Sequence, residues 1–205
     1  MAAERHAAAP QVSALRFDAG SLSLNLVATV ARRFAEPVER LTSVEHLRDW
    51  LAGVGLNVET EPAEDDLIRV RCLREHLDAL FRSALAGARP PADVVAEINS
   101  AVACGVPRVS ASRAGFALAS PASAGSALDP VMALIAADAI RILVGSDRRD
   151  LRVCAADDCR MLYLVHGRRA RRWCSSDRCG NRSRVAAHRA RSGHRQATGR
   201  GEQVS

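Results

Sequence analysis

Lysine is absent from this chain: all 29 basic residues among its 205 are arginine. Arginine cannot lose its proton and makes forked, bidentate contacts with phosphate. The absence is global, however, and alanine is abundant, so genomic base composition accounts for it and arginine content alone marks no partner. Aromatic residues are scarce, at 3% against a hydrophobic fraction of 48%, so a buried core must be built from Leu, Val, Ile and Ala. No apolar run approaches the roughly 18–20 residues that span a bilayer. The longest, Val131 to Val144, is interrupted by Asp138 and Arg141. Met1 to Pro10 has no hydrophobic stretch, so no signal peptide is expected. The expectation is a cytoplasmic protein with no membrane partner. In a reducing compartment, clustered cysteines favour metal over disulfides.

The charge is unevenly spread. Residues 1–150 hold 16 Arg against 19 acidic residues, a net of −3, while residues 151–205 hold 13 Arg against 4 acidic residues, a net of +9. Such asymmetry describes an acidic-to-neutral body with a basic binding module. A solvated basic tail that binds nothing specific is the plainer alternative.

The pattern along the chain predicts a mainly α fold with short β-strands, an α+β class. A disordered stretch is expected over 1–12, a helical body over 13–146, a small cysteine-bearing module over 151–195 and a disordered tail over 196–205. Within the body, Ser21 to Phe34 reads as a helix with Leu22, Leu26, Thr29 or Val30, and Arg33 at helical spacing. Thr42-Ser43-Val44-Glu45 has the form of a capping box that starts a second helix, ending near Gly53. From Ala63 to Ala86, Leu67, Val70, Leu73, Leu77, Leu80, Phe81 and Leu85 recur every three or four positions, until Gly87 and Pro90-Pro91 stop the helix. Pro91 to Ala103 reads as another, with Val94, Val95, Ile98 and Val102 inward. Val106–Ser110 and Gly115–Ser120 read as a hairpin. Asp129 as N-cap and Pro130 at the first helical position open a final body helix to Val144, apolar on most sides and hence central. Gly145 to Asp150 reads as a linker.

The module holds Cys154, Cys159, Cys174 and Cys179 in a C-x4-C-x14-C-x4-C frame, with eleven arginines from Arg160 to Arg195 within or just after it. A structural zinc takes four ligands in a tetrahedron, which two short, curled cysteine pairs can supply. Four thiolates leave no open position for water, so a catalytic zinc is not expected. Two disulfides or free thiols are the alternative. Met161 to Val165 and Arg171 to Trp173 are expected to pair as a hairpin between the cysteine pairs. Nothing so small buries enough core unaided, so the metal supplies folding energy. Gly180 is expected to turn the backbone tightly and offer an amide to a cysteine sulfur. Trp173 and Tyr163 are expected as hydrophobic cover and core. Cys72 and Cys104, on apolar faces, are expected as buried small hydrophobes.

Cys154-Ala-Ala-Asp-Asp-Cys159, Arg172-Trp173-Cys174-Ser175 and Cys179-Gly180-Asn181-Arg182 together resemble the CGNR zinc-finger family over residues 151–191. The body resembles the ABATE domain found N-terminal to that finger, through Leu24-Asn25-Leu26-Val27-Ala28-Thr29, Leu47-Arg48-Asp49-Trp50-Leu51 and Leu73-Arg74-Glu75. Ala28 departs from the pattern, since many members carry Asn there. The family is regarded as one of bacterial, stress-induced transcription regulators, so the resemblance implies one structural zinc and DNA.

A helix from Ser176 or Asp177 to about Arg191 places Arg184, His188, Arg191 and Arg195 on one stripe and Arg178, Arg182 and Arg189 on a second. Such a helix can lie along DNA, with arginines on phosphates and one or two at guanine edges. Arg168, Arg169, Arg171 and Arg172 add a contact from the hairpin, and Asn181 can reach a base. The expected function is a zinc-containing DNA-binding regulator whose body senses a small-molecule effector or forms a homodimer. An RNA-binding or protein-interaction module is the alternative. His46, Glu75, His76 and Asp78 form no nucleophile–base pattern, so an enzyme is not expected.

Overall fold

The computed structural model describes residues 14–105, 108–112, 115–119, 126, 128–165 and 171–199. The expected N-terminal disordered stretch therefore lies outside the described residues, as do 200–205 of the expected tail. The architecture is helical with three short antiparallel strand pairs, the α+β class the sequence predicts.

The first helix is shorter than its pattern suggests. Ser21 caps α1 (Leu22–Val27) by accepting from the Leu24 amide at 3.3 Å. The helix stops at Val27, where the Thr29 hydroxyl turns back to the Leu26 carbonyl at 2.7 Å. Side chains that bond their own backbone offer the chain an exit from the helix. Strand β1 (Val30–Ala31) follows and pairs with β2 (Val38–Glu39). Arg33, expected on the helix's apolar stripe, instead reaches Glu75 and Asp78 across the fold.

Helix α2 (Val44–Gly53) is capped by Ser43 rather than Thr42, whose hydroxyl bonds His46 Nδ1 at 2.7 Å. Its buried residues Leu47, Trp50 and Leu51 enter the core. Helix α3 (Glu64–Ala86) runs as predicted. Asp66 accepts from the Ala63 amide at 2.9 Å, and Gly87, with φ 65°, closes the far end in the left-handed conformation that glycine adopts without strain.

Helix α4 (Ala92–Cys104) packs between α3 and the central helix α5 (Asp129–Val144). Helix α5 also touches α1, where Asp138 accepts from the Ser23 amide at 2.9 Å and its hydroxyl at 2.6 Å. Gly105 makes the α4–α5 approach possible, because a Cβ there would fall onto the backbone of Asp129 and Pro130. Strands β3 (Arg108–Ser112) and β4 (Gly115–Ala119) form the expected hairpin.

Four side-chain expectations in the body helices fail. Cys72 and Cys104 are exposed, as are Val95 and Leu85, the last residue of the α3 stripe. Cys72 follows Val70 by two residues, about 200° around the helix, and Cys104 follows Ile98 by six, about 240° around. Each falls off the stripe that its buried neighbour marks.

The expected linker is a 3₁₀ turn (Ser146–Asp150) that leads directly into β5 (Leu151–Val153). Strand β5 pairs antiparallel with β6 (Leu162–Leu164), so Leu162–Leu164 pairs upstream and not with Arg171–Trp173 as predicted. Apolar Leu151 and Val153 suit the strand face better than a run of arginines, and Arg172 contributes only its carbonyl, to the Ala155 amide at 2.9 Å. Leu151, Leu162 and Leu164 belong to the same buried cluster as Leu24, Trp50 and Ile142. The Leu164 amide also donates to the Ala19 carbonyl at 2.8 Å. Through these leucines the module joins the body's core, while its cysteines, Tyr163 and Val165 form a second buried cluster.

Candidate metal centre

Strands β5 and β6 hold the first cysteine pair. Cys154 leaves β5 and bonds back through its amide to the Met161 carbonyl at 2.8 Å. Cys159 ends the small turn that the Ala156 carbonyl closes, and Arg160, at φ 51°, takes the left-handed bend that returns the chain to β6. Of the second pair, Cys174 lies just before a single π-helical turn, Ser176–Gly180, which the Ser175 hydroxyl caps, and Cys179 lies on that turn. Helix α6 (Asn181–Gly199) continues from it. The cap, Ser175, lies one or two residues before the expected Ser176 or Asp177, and the helix continues through 196–199, residues assigned by sequence to a disordered tail.

The four Sγ atoms all lie within 4.8 Å of one another, with Cys159 to Cys174 at 3.8 Å and Cys174 to Cys179 at 3.6 Å. A tetrahedron with arms of 2.3 Å has edges of about 3.8 Å, so the donor set fits one structural zinc. Cys154 and Cys174 are fully buried and Cys179 nearly so. Hydrogen bonding among the four sulfurs pulls Cys154 down and pushes Cys159 and Cys179 up from the ordinary thiol value. Cys174 is held at about 6: its contact with Cys154 raises it, contacts with Cys159 and Cys179 lower it, and Arg16 lowers it further. With zinc bound, all four would be thiolates and the centre would carry two net negative charges.

Two arginines answer that charge. Arg16, buried before α1, donates to Cys174 Sγ at 3.3 Å and to both carboxylate oxygens of Asp18 at 2.8 and 2.7 Å. Burial opposes its charge, but Asp18 and Cys174 push its pKa above the usual guanidinium range. Arg182 donates to Cys179 Sγ and to Asp158, both at 3.2 Å. Such partners orient ligands and tune the metal. The sequence marks Arg182 both on a helical stripe and in the Cys179-Gly180-Asn181-Arg182 motif beside the metal ligand, and gives no sign of Arg16.

Trp173 covers the cysteine cluster and Tyr163 is buried within it, as expected. The Tyr163 hydroxyl donates to the Arg171 carbonyl at 2.6 Å, its pKa raised chiefly by burial. Gly180 plays a different part from the predicted one. Its amide donates to the Ser175 carbonyl at 2.9 Å, and it lies under the Trp173 ring. The amide that reaches a sulfur is that of Cys174, at 3.5 Å from Cys154 Sγ.

Of the predicted nucleic-acid contacts, Arg168 and Arg169 lie outside the described residues. Arg184, His188 and Arg191 line one shallow groove on α6 with Val185 and Ala187, which brings three members of the first stripe together; the Arg195 side chain lies outside the described residues. Arg189 is exposed on the same helix. Arg171 lies over Tyr163 and Arg172 over Trp173, with guanidinium carbons 5.0 and 5.4 Å from the ring centroids. The second stripe divides: Arg182 turns to the sulfurs, and Arg178 and Asn181 line a cleft facing the body.

Residues 20–146 match the ABATE family, described as "Putative stress-induced transcription regulator", and residues 150–192 match the CGNR zinc finger. No curated protein matches the chain. No helix among the described residues is long and apolar enough to cross a membrane.

Proposed function

Because the chain belongs to the ABATE family and carries a CGNR zinc finger, we propose that it is a transcription regulator whose α6 binds DNA. The observation that carries this reading is the exposed basic face of α6, where Arg184, His188 and Arg191 share a groove beside Arg189. The metal centre anchors the N-terminal end of that helix through Cys179, so zinc would fix the helix relative to the body. Arg171 and Arg172, both exposed and each stacked on an aromatic ring, flank it as phosphate contacts. In the body, we assign a sensing or dimerising role and no catalysis. Glu75 and Asp78 are engaged by Arg33, Arg74 and Arg82, and exposed His46 bonds Thr42.

Selection of duplexes from a random DNA pool by the zinc-loaded chain, followed by gel shift, tests the proposal. We expect enriched sequences whose retention is lost after chelation. No retention at low salt, or retention indifferent to chelation, would overturn it. Preferential retention of RNA in a parallel pool would reassign the module to RNA.

A further inference from the structure

We infer that the groove between α3 and α4 is a second metal site, which takes one thiophilic cation of the zinc class through Cys72, His76 and Cys104. These residues line one recess of about 200 Å³ together with Glu97 and Ser100. Cys72 and His76 stand four residues apart on α3, so they share a face, about 6 Å apart along the axis. That spacing lets two side chains of one helix grip a single ion. The chain reverses through 87–91, so α4 returns antiparallel beside α3 and brings its last residue, Cys104, back to that face. Two thiolates and an imidazole are donors that zinc and softer cations select. Three protein ligands leave the fourth tetrahedral position to water. Glu97 is the carboxylate of the lining, available to that water or to the second ring nitrogen of His76.

Free cysteine is among the most buried residue types. Yet the two cysteines outside the finger are both exposed, and both face this one groove. Cys72, His76 and Glu97 have no hydrogen bond or ion pair among the described residues, and Cys104 has only the Ser100 hydroxyl at 3.9 Å. These donors therefore surrender almost nothing on binding. The imidazole beside the thiols favours an ion over a disulfide, which has no use for it. Leu73 and Met132, both buried, floor the groove and shield the ion's inner side from water. Arg69, the guanidinium of the lining, is turned to Asp129 at 2.5 Å, which compensates its charge. Among the described residues, the finger sulfurs are the one set of three or more such donors already within 4.8 Å of one another. The groove's donors sit on exposed or half-buried side chains that can change rotamer, so the ion gathers them and displaces the two thiol protons to water. Once bound, it clips α3 to α4, the helix packed on central α5. The site is independent of the DNA-binding reading.

The experiment is a Co²⁺ titration of the full-length, reduced chain, without oxygen or DNA, after the finger has taken zinc. Zinc outranks cobalt at a closed four-thiolate site, so added Co²⁺ reports the groove. We expect saturation at about one Co²⁺ per chain, with a sulfur-to-cobalt charge-transfer absorption that further Zn²⁺ abolishes by displacement. Cys72→Ser, Cys104→Ser and His76→Gln should each weaken binding by more than about 100-fold, since even the outer partners of metal ligands are worth about 10–100-fold. His46→Gln, which removes an exposed histidine from α2, should leave it unchanged. The variants' Tm before cobalt, expected to match the parent's because both cysteines are exposed, separates loss of a ligand from loss of fold. No saturable uptake, uptake without charge-transfer absorption, or an absorption that persists in the Cys72→Ser, Cys104→Ser double variant would overturn the inference.

Discussion

Arg74 is buried to 4% exposure in the middle of α3, yet its guanidinium donates four hydrogen bonds. It donates to both oxygens of Glu39 at 2.7 Å, to Glu75 at 2.8 Å and to the Thr29 hydroxyl at 3.1 Å. This joins α3 to the β1–β2 pair. Arg74→Met should destabilise the chain by about 2–3 kcal/mol in urea denaturation. Breaking a fully buried pair costs about 3–5 kcal/mol, but Glu39 and Glu75 keep part of their water. Burial pushes both carboxyls up, but bonds from Arg74 hold Glu39, and bonds from Arg33 and Arg74 hold Glu75, below the usual carboxylate range. Their folded values lie below their unfolded ones, so the stabilisation is full above about pH 4.3 and is lost as pH falls through the folded values. A stability–pH profile should show that acid loss in the parent chain and a smaller one in Arg74→Met. At this scale the four cysteines were readable, because spacing within each pair dictates which sulfurs can meet. Arg16 was not, because it meets Cys174 from 158 positions away and no local pattern encodes that contact.

Among elements, α3 and α5 follow their apolar stripes, and both form where the periodicity places them. Helix α1 does not. Its pattern runs to Phe34, but the Thr29 hydroxyl, the left-handed Arg32 and the pairing of Val30–Ala31 with Val38–Glu39 end it at Val27. Those are tertiary choices that override helical periodicity. Similarly, β6 has two possible partners in sequence, and the core selects β5 because Leu151 and Leu164 can be buried together. The α4–α5 junction gives a sharp test. In Gly105→Ala, the new methyl meets backbone rather than a movable side chain. A loss of about 1–3 kcal/mol is expected from such overpacking, measurable as a lower urea midpoint, whereas Gly55→Ala meets open space and should suffer only its φ of 76°.

Across the whole molecule, the zinc finger is continuous with the body. The charge split at residue 150 suggests two separable parts, but Leu151, Leu162 and Leu164 close the body's core from the far side of that boundary. Charge describes the surface and says nothing of which apolar residues a core recruits. Chelation should therefore lower the thermal stability of the body as well as the finger. Exposing one of those leucines costs about 1.5–3 kcal/mol, or about 3–12 °C in Tm for a chain of this size. A calorimetric scan of the chelated chain in which the body's transition is unmoved would contradict the shared core. The central claim is that the metal centre presents a basic helix to DNA, and fluorescence anisotropy over a salt series on one selected duplex tests it most directly. If six to eight phosphates are engaged, log affinity of the zinc-loaded chain falls against log salt with a slope of about −5 to −7, and chelation abolishes binding. A slope near zero, or an unchanged slope and affinity after chelation, would contradict the account.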